Sequence, residues 1–299
     1  MLTPRDRGGR GEETNMGSCD GKVAFITGAS RGIGRAIAQR LSSEGASVVL
    51  NASRMGAHGK LLGTLEEAAA EIQAGGGKAH PIACDLSDEQ ARADLIERAS
   101  EPFGPIDILV NNAAAAAMKL PSQTTNEDRR WMYELNLNAP IDLAQQALPA
   151  MRERGAGWIL NISSETARQP AVPYRDSKFA AHIITAYGAT KAALDRYTQG
   201  LAHEVAEDGI FVNSMGPVAI VLTQGAEYVR DIARKNPDMA EPVEMMAEAA
   251  LELCTGRHVG EVVASREILH RVARPVRSLD GRRVLGDAFL EADVEGASA

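Results

Sequence analysis

From Lys22 onward, short β-branched and apolar runs alternate with stretches of helical periodicity, and this alternation restricts the fold more than any other feature. Strands separated by whole helices pair in parallel, because a hairpin connection needs only a few residues. The pattern reads as strands at 23–27, 47–51, 78–83, 106–110, 158–162, 210–215 and 261–264. Helices are expected at 34–44, 64–74, 88–103, 185–208 and 242–253, with a long helical region at 126–154 interrupted by Pro140 and Pro149. The expected architecture is α/β: a single doubly wound Rossmann domain with a mostly parallel sheet of about seven strands flanked by helices.

At 299 residues and 44% hydrophobic, the chain can bury one large core. We expect a disordered N-terminal extension at 1–20, the catalytic domain at 21–265 and a C-terminal appendage at 266–299. The appendage is expected to be solvated or to contact another subunit, with a lid over the substrate site as the alternative. A net charge of -8 argues against nucleic acid, whose phosphates call for clustered Lys and Arg. Cys19, Cys84 and Cys254 are odd in number and widely spaced, which fits neither a disulfide framework nor a metal site and points to the cytoplasm. No apolar run is long enough for a membrane span.

Gly28, Gly32 and Gly34 follow the first strand and open the first helix. Glycines there admit a pyrophosphate close to the backbone, and the free N–H groups of the helix start favour negative charge. The end of the second strand, Leu50 to Arg54, holds no carboxylate to bind ribose hydroxyls and repel a 2′-phosphate, whereas Arg31 and Arg54 offer cations. NADP(H) is therefore expected over NAD(H), with NAD(H) still possible. Asp85 after the third strand and Asn112 ending the fourth are open to two readings, contacts to the adenine and the adenosine half or plain turn and cap residues, and only the resemblance given below favours the first.

Tyr187 and Lys191 lie four positions apart on a helix, hence on one face. A free phenol titrates near ~10. A cation about 4 Å away at an effective dielectric near 20 would stabilise the phenolate by roughly 4 kcal/mol, or about three pH units before desolvation opposes it. The expectation is a phenol lowered toward neutrality. Tyr174 and Lys178 repeat the spacing and are the rival pair; Tyr187 is preferred because Ala192, Ala193 and Leu194 continue the helix after Lys191.

Taken in order, these segments resemble the short-chain dehydrogenase/reductase superfamily from about residue 22 to 264. TGASRGIG, carrying Gly28, Ser30, Arg31, Gly32, Ile33 and Gly34, resembles the cofactor loop. CDL resembles the adenine contact (Asp85, Leu86), and NNAA (Asn112, Ala113, Ala114) resembles the family's NNAG with alanine replacing glycine. Asn136 falls at the helix asparagine, Ser164 at the catalytic serine with Ser163 one register away, and Tyr187 and Lys191 at the acid/base pair. Pro217, Val218 and Ile220 lie in the segment that resembles the nicotinamide contact, although Val218 stands where the family has glycine. The interval from Ser164 to Tyr187 is longer than usual, which implies an insertion.

The resemblance implies hydride transfer between a nicotinamide and a small-molecule alcohol or carbonyl. Ser164 would bond the substrate oxygen and Tyr187 would pass the proton. Lys191 would tune the phenol and hold the ribose, Ser53 and Arg54 would flank the adenosine phosphate, and Asn136 would position a water. Walls at 165–186 and 220–236 mix Ile183, Ile184, Val221, Leu222 and Tyr228 with polar groups, which suggests a fairly apolar substrate; His182 is read as a surface residue. A homotetramer or homodimer is expected. The alternative is a nucleotide-sensing or scaffold protein on the same fold without turnover.

Overall fold

The computed structural model describes residues 17–57, 59, 62–168, 184–218, 220–223 and 240–286. Seven strands form one parallel sheet: β1 (Val23–Ile26), β2 (Ser47–Ala52), β3 (Lys78–Ala83), β4 (Ile108–Asn111), β5 (Gly157–Ile162), β6 (Ile210–Gly216) and β9 (Val262–Ala264). Their spatial order is β3-β2-β1-β4-β5-β6-β9, so the winding reverses between β1 and β4, and a crevice opens beyond their carboxyl ends. Ile26, the last residue of β1, pairs with Leu50 on one side and Val110 on the other, so β2 and β4 run one or two residues past it at that crevice.

Successive residues of one strand belong to opposite apolar layers. Ala24 and Ile26 pack in one cluster with α1 (Gly32–Ser43), α2 (Leu65–Ala74), α8 (Val243–Thr255) and α9 (Ser265–Arg271). Val23 and Phe25 pack in the other, with α4 (Leu95–Ser100), α6 (Ala139–Arg154) and α7 (Thr185–Val205). Helices cover both faces because a sheet with two apolar faces has no other way to leave water.

Several local expectations are corrected. The helix expected at 88–103 is two short pieces, α3 (Glu89–Arg92), capped by the Asp88 carboxylate, and α4. In the long helical region neither proline ends the helix: Pro140 sits in the first turn of α6, directly after the irregularity, and Pro149 lies inside α6. The irregularity is a π-helical turn, Glu134–Asn138, between α5 (Asn126–Tyr133) and α6. A short parallel pair, β7 (Ile220–Leu222) and β8 (Ala240–Pro242), stands apart from the main sheet.

The described part of the expected C-terminal appendage continues the domain. Ile268, Leu269 and Val276 share the apolar cluster of α1 and α8. Arg274 reaches the fully buried Glu248 of α8 at 2.6 Å, and Glu248 also bonds the buried Arg40 of α1 at 2.8 Å. The chain then reaches Gly281 beside Arg40 and Ser43, at the end of α1 remote from the glycine loop. That path does not bring the segment up to Gly281 over the crevice, as the lid alternative would require.

Candidate active site

A cleft of about 760 Å³ occupies the crevice at the carboxyl ends of β1, β2 and β4. The N-terminus of α1 opens into it, and Arg31, the residue before that helix, makes no side-chain cap, so the first N–H groups have no capping partner from that residue. Gly28, Ser30, Arg31, Gly32 and Ile33 line this wall. Gly34 does not line it; a Cβ there would stand 2.5 Å from both the Gly28 oxygen and Asn112 Nδ2, so its hydrogen lets the helix pack on the loops. Asn112 Nδ2 donates to the carbonyls of Thr27 at 2.9 Å and Gly28 at 3.2 Å, clamping the glycine loop to the end of β4.

Ser53, Arg54, Asp85, Leu86, Ala113 and Ala114 complete the part of the cleft legible from sequence. Asp85 Oδ1 accepts from the backbone N–H and hydroxyl of Ser87, at 3.0 and 2.7 Å, which fixes the carboxylate at the rim. Arg54 is exposed, and Arg31 Nη1 donates to the Leu62 carbonyl at 3.5 Å. Sequence reasoning did not single out Trp131, Leu135 and Thr223, which also line the cleft. The four-residue spacing of Trp131 and Leu135 was the available signal; Thr223 gives none.

A second cleft, of about 1070 Å³, lies at the opposite end of the sheet between the C-termini of α1 and α2. It is a poor place for a dinucleotide. Asp20, Glu44, Glu71 and Asp280 line it against Arg282, and helix C-termini add further negative potential.

Ser164, Tyr187, Lys191 and Asn136 converge beyond β5. The Tyr187 side chain faces Ser164, whose Oγ accepts from Thr166 Oγ1 at 2.9 Å. Ser163 is buried, with its backbone N–H spent on Met215. Gly188 makes the approach possible: a Cβ there would stand 2.5 Å from the Thr166 carbonyl oxygen, so any larger residue would push α7 away from Ser164. Lys191 is 1% exposed and donates to the Ile162 carbonyl at 2.6 Å.

Asn136 is fully buried in the π turn. Its Oδ1 accepts from Ala115 N–H at 2.7 Å, and its Nδ2 donates to the Ala115 carbonyl at 2.8 Å and to Thr190 Oγ1 at 3.0 Å. The amide thus joins the loop after β4 to α7.

The expected lowering of the phenol is also corrected. Burial pushes Tyr187 up to about 12, with Ser164 opposing, because the phenolate would lose its water. Lys191 does not offset this. Its ammonium lies 5.8 Å from the ring centroid, is drawn to the Ile162 carbonyl, and is itself pushed down to about 8 by burial, with Asp195 opposing. Pro217 lies next to Ser164 and Gly216 at the end of β6, the Val218 N–H faces the Glu241 carboxylate at 3.5 Å, and Ile220 opens β7. The rival Tyr174 and Lys178, together with His182, Ile183 and Tyr228, fall outside the described residues.

The residues present fit a dinucleotide: a helix start facing the cleft, cationic side chains at its rim, no carboxylate at the end of β2, and a hydroxyl pair with a buried ammonium beyond it. Comparison with known proteins agrees. The model of the family described as short chain dehydrogenase matches residues 22–233. Hydroxysteroid dehydrogenase-like protein 2 of Danio rerio is 33% identical over 291 residues, covering 94% of this chain and 66% of its own. The chain spans between 44% and 66% of the length of the relatives of that name. Among solved structures, a 3-oxoacyl (acyl-carrier-protein) reductase of Agrobacterium tumefaciens with NADP bound is 33% identical with a TM-score of 0.69, covering 82% of this chain and 93% of its own. L-sorbose reductase of Gluconobacter frateurii, complexed with NADPH and L-sorbose, is 30% identical with a TM-score of 0.72, covering 84% and 97%. A seven-stranded parallel sheet wound around this cleft, carrying the family's ordered motifs, makes the chain a member of the short-chain dehydrogenase family.

Proposed function

We propose that this chain transfers hydride between NADP(H) and a fairly apolar secondary alcohol or ketone, with Tyr187 as the general acid and base. The observation that carries this reading is the Tyr187–Ser164 hydroxyl pair with Lys191 one helical turn along, at the same end of the sheet as the glycine-loop cleft. NADP(H) over NAD(H) is supported by Arg31 and Arg54 at the rim of that cleft and by the absence of an acidic side chain at the end of β2. Two similar solved proteins carry NADP or NADPH.

When bound, the nicotinamide supplies or accepts the hydride. In reduction, Ser164 Oγ–H donates to the carbonyl oxygen and the Tyr187 hydroxyl protonates it. A phenol held at about 12 carries its proton at neutral pH and is ready to act as the acid. Lys191 keeps a positive charge beside the Tyr187 ring and would hold the nicotinamide ribose. Asn136 sets the height of α7 over the loop after β4 through its bonds to Ala115 and Thr190. The half-buried Ile184, Val221 and Leu222 give the substrate wall an apolar character.

Self-association belongs to the α6–α7 face, as a homodimer or homotetramer, where Leu137, Ile141 and Tyr197 line a cleft of about 740 Å³. Free, buried cysteines suit the cytoplasm. No helix among the described residues is long and apolar enough to cross a membrane.

The test is a panel of ketones and alcohols followed at the NADPH absorbance band, with Tyr187→Phe and Tyr174→Phe in parallel. The expected result is turnover by the parent chain, reduced about 10²-fold or more in Tyr187→Phe and kept in Tyr174→Phe. Stabilisation by NADPH with no turnover on any compound would favour the sensing or scaffold alternative.

A further inference from the structure

Helix α7 carries a second buried titratable group, Asp195, one turn beyond Lys191. Lys191 is 1% exposed and Asp195 8%, and the four-residue spacing places both on one helical face. Asp195 Oδ1 accepts from the hydroxyl of Ser214 at 2.6 Å, and Ser214 is itself fully buried in β6. The described cations acting on this carboxylate are Lys191 and Arg168, the latter at the end of the turn after β5 and tied to the Val262 carbonyl of β9. Burial raises the Asp195 carboxyl; Ser214, Arg168 and Lys191 draw it back.

On the other side of the pair, Lys191 meets the Ile162 carbonyl of β5 and the ring of Tyr187, neither of which carries a negative charge. Among the described residues, Asp195 is the anion that favours its protonated form. An ammonium taken out of water with only a carbonyl for company sheds its proton. A carboxylate one turn away opposes that loss, and Ser214 fixes the carboxylate so that it does not turn out to solvent.

We propose that Asp195 is a positioning residue: the buried counter-charge, one helical turn away, that keeps Lys191 an ammonium beside Tyr187. Its importance to turnover rests on the hydride-transfer reading, but its effect on Lys191 does not. Asp195 acts through Lys191, and Ser214 acts through Asp195.

The experiment is a pH titration of the full chain labelled with ¹³C-lysine, reading the Lys191 Cε resonance, assigned by its loss in Lys191→Arg. The parent midpoint should lie near 8. In Asp195→Asn it should fall by about one pH unit or more, because a neighbouring negative charge favours the cation. Asp195→Glu should restore it, and Ser214→Ala, which keeps the charge, should move it less than Asp195→Asn. Should the asparagine variant not fold, Asp195→Ser keeps a hydroxyl facing Ser214 and carries the same comparison. An unchanged midpoint in the neutral variant overturns the proposal, whatever happens to stability. If the midpoint shifts as expected while the parent chain turns over no carbonyl, the proposal stands and the hydride-transfer reading falls.

Discussion

Glu248 offers the sharpest test of how the C-terminal segment is held. Its carboxylate and the Arg40 guanidinium are each 1% exposed in their side chains and meet at 2.8 Å, with Arg274 adding a second cation at 2.6 Å. Glu248→Gln keeps the shape and removes the charge. Breaking a buried pair by neutralising one member costs about 3–5 kcal/mol, because the other charge stays buried. Here Glu44, 2.6 Å from Arg40, and Glu252, 2.8 Å from Arg274, retain part of the compensation, which places the loss near the lower end, about 3 kcal/mol.

For a domain of this size each kcal/mol moves Tm by roughly 2–4 °C, so calorimetry should record a drop of about 6–12 °C. The internal control is Glu71→Gln. Its pair with Arg35 has side chains 51% and 23% exposed, and screened pairs of this kind contribute below about 1 kcal/mol. Replacing the buried pair together, Arg40→Met with Glu248→Leu, should recover much of the loss, since Arg274 keeps Glu252 and the charges left without a partner reach water. A Tm loss in Glu248→Gln no larger than in Glu71→Gln would refute the reasoning.

Two other outcomes follow from the site. Lys191 is held down to about 8 against an ordinary 10.5, so the folded chain takes up fewer protons than the unfolded one between those values, and its contribution to stability rises across that window. Lys191→Met should therefore be more stable than the parent near pH 7, by up to roughly 3 kcal/mol, with the advantage shrinking as pH climbs toward 10, as read by urea unfolding at each pH. Gly34→Ala should remove stabilisation by NADPH in a thermal-shift assay, because the new methyl collides with the Gly28 carbonyl and the Asn112 amide; an undiminished shift would contradict the packing described.

Much of the fold was legible because each strand is a short apolar run and each helix has its own stop. β3 falls where expected, and Thr64 caps α2 through a reciprocal pair of bonds with Glu67. The β7–β8 pair was not legible: each strand has three residues, and their parallel pairing is non-local. In the site, the ordered motifs brought out Ser164, Tyr187, Lys191 and Asn136, but spacing alone carries no information on desolvation. Counting residues put a cation beside the phenol. The Ile162 carbonyl, which sequence gives no reason to single out, decides where that cation points.

The π turn at Glu134–Asn138 has a consequence for how this helix can evolve. Such a turn amounts to one residue inserted into an α-helix, and a single residue advances the rod by about 100°. α5 and α6 are therefore turned relative to one another by comparison with an uninterrupted helix, with the buried Asn136 in the turn between them. Deleting any one residue between them would heal the ladder of hydrogen bonds and leave one half facing the wrong way, either withdrawing the Asn136 amide from Ala115 or rolling the apolar stripe of α6 off the sheet. Length variation should be confined to the loops on either side.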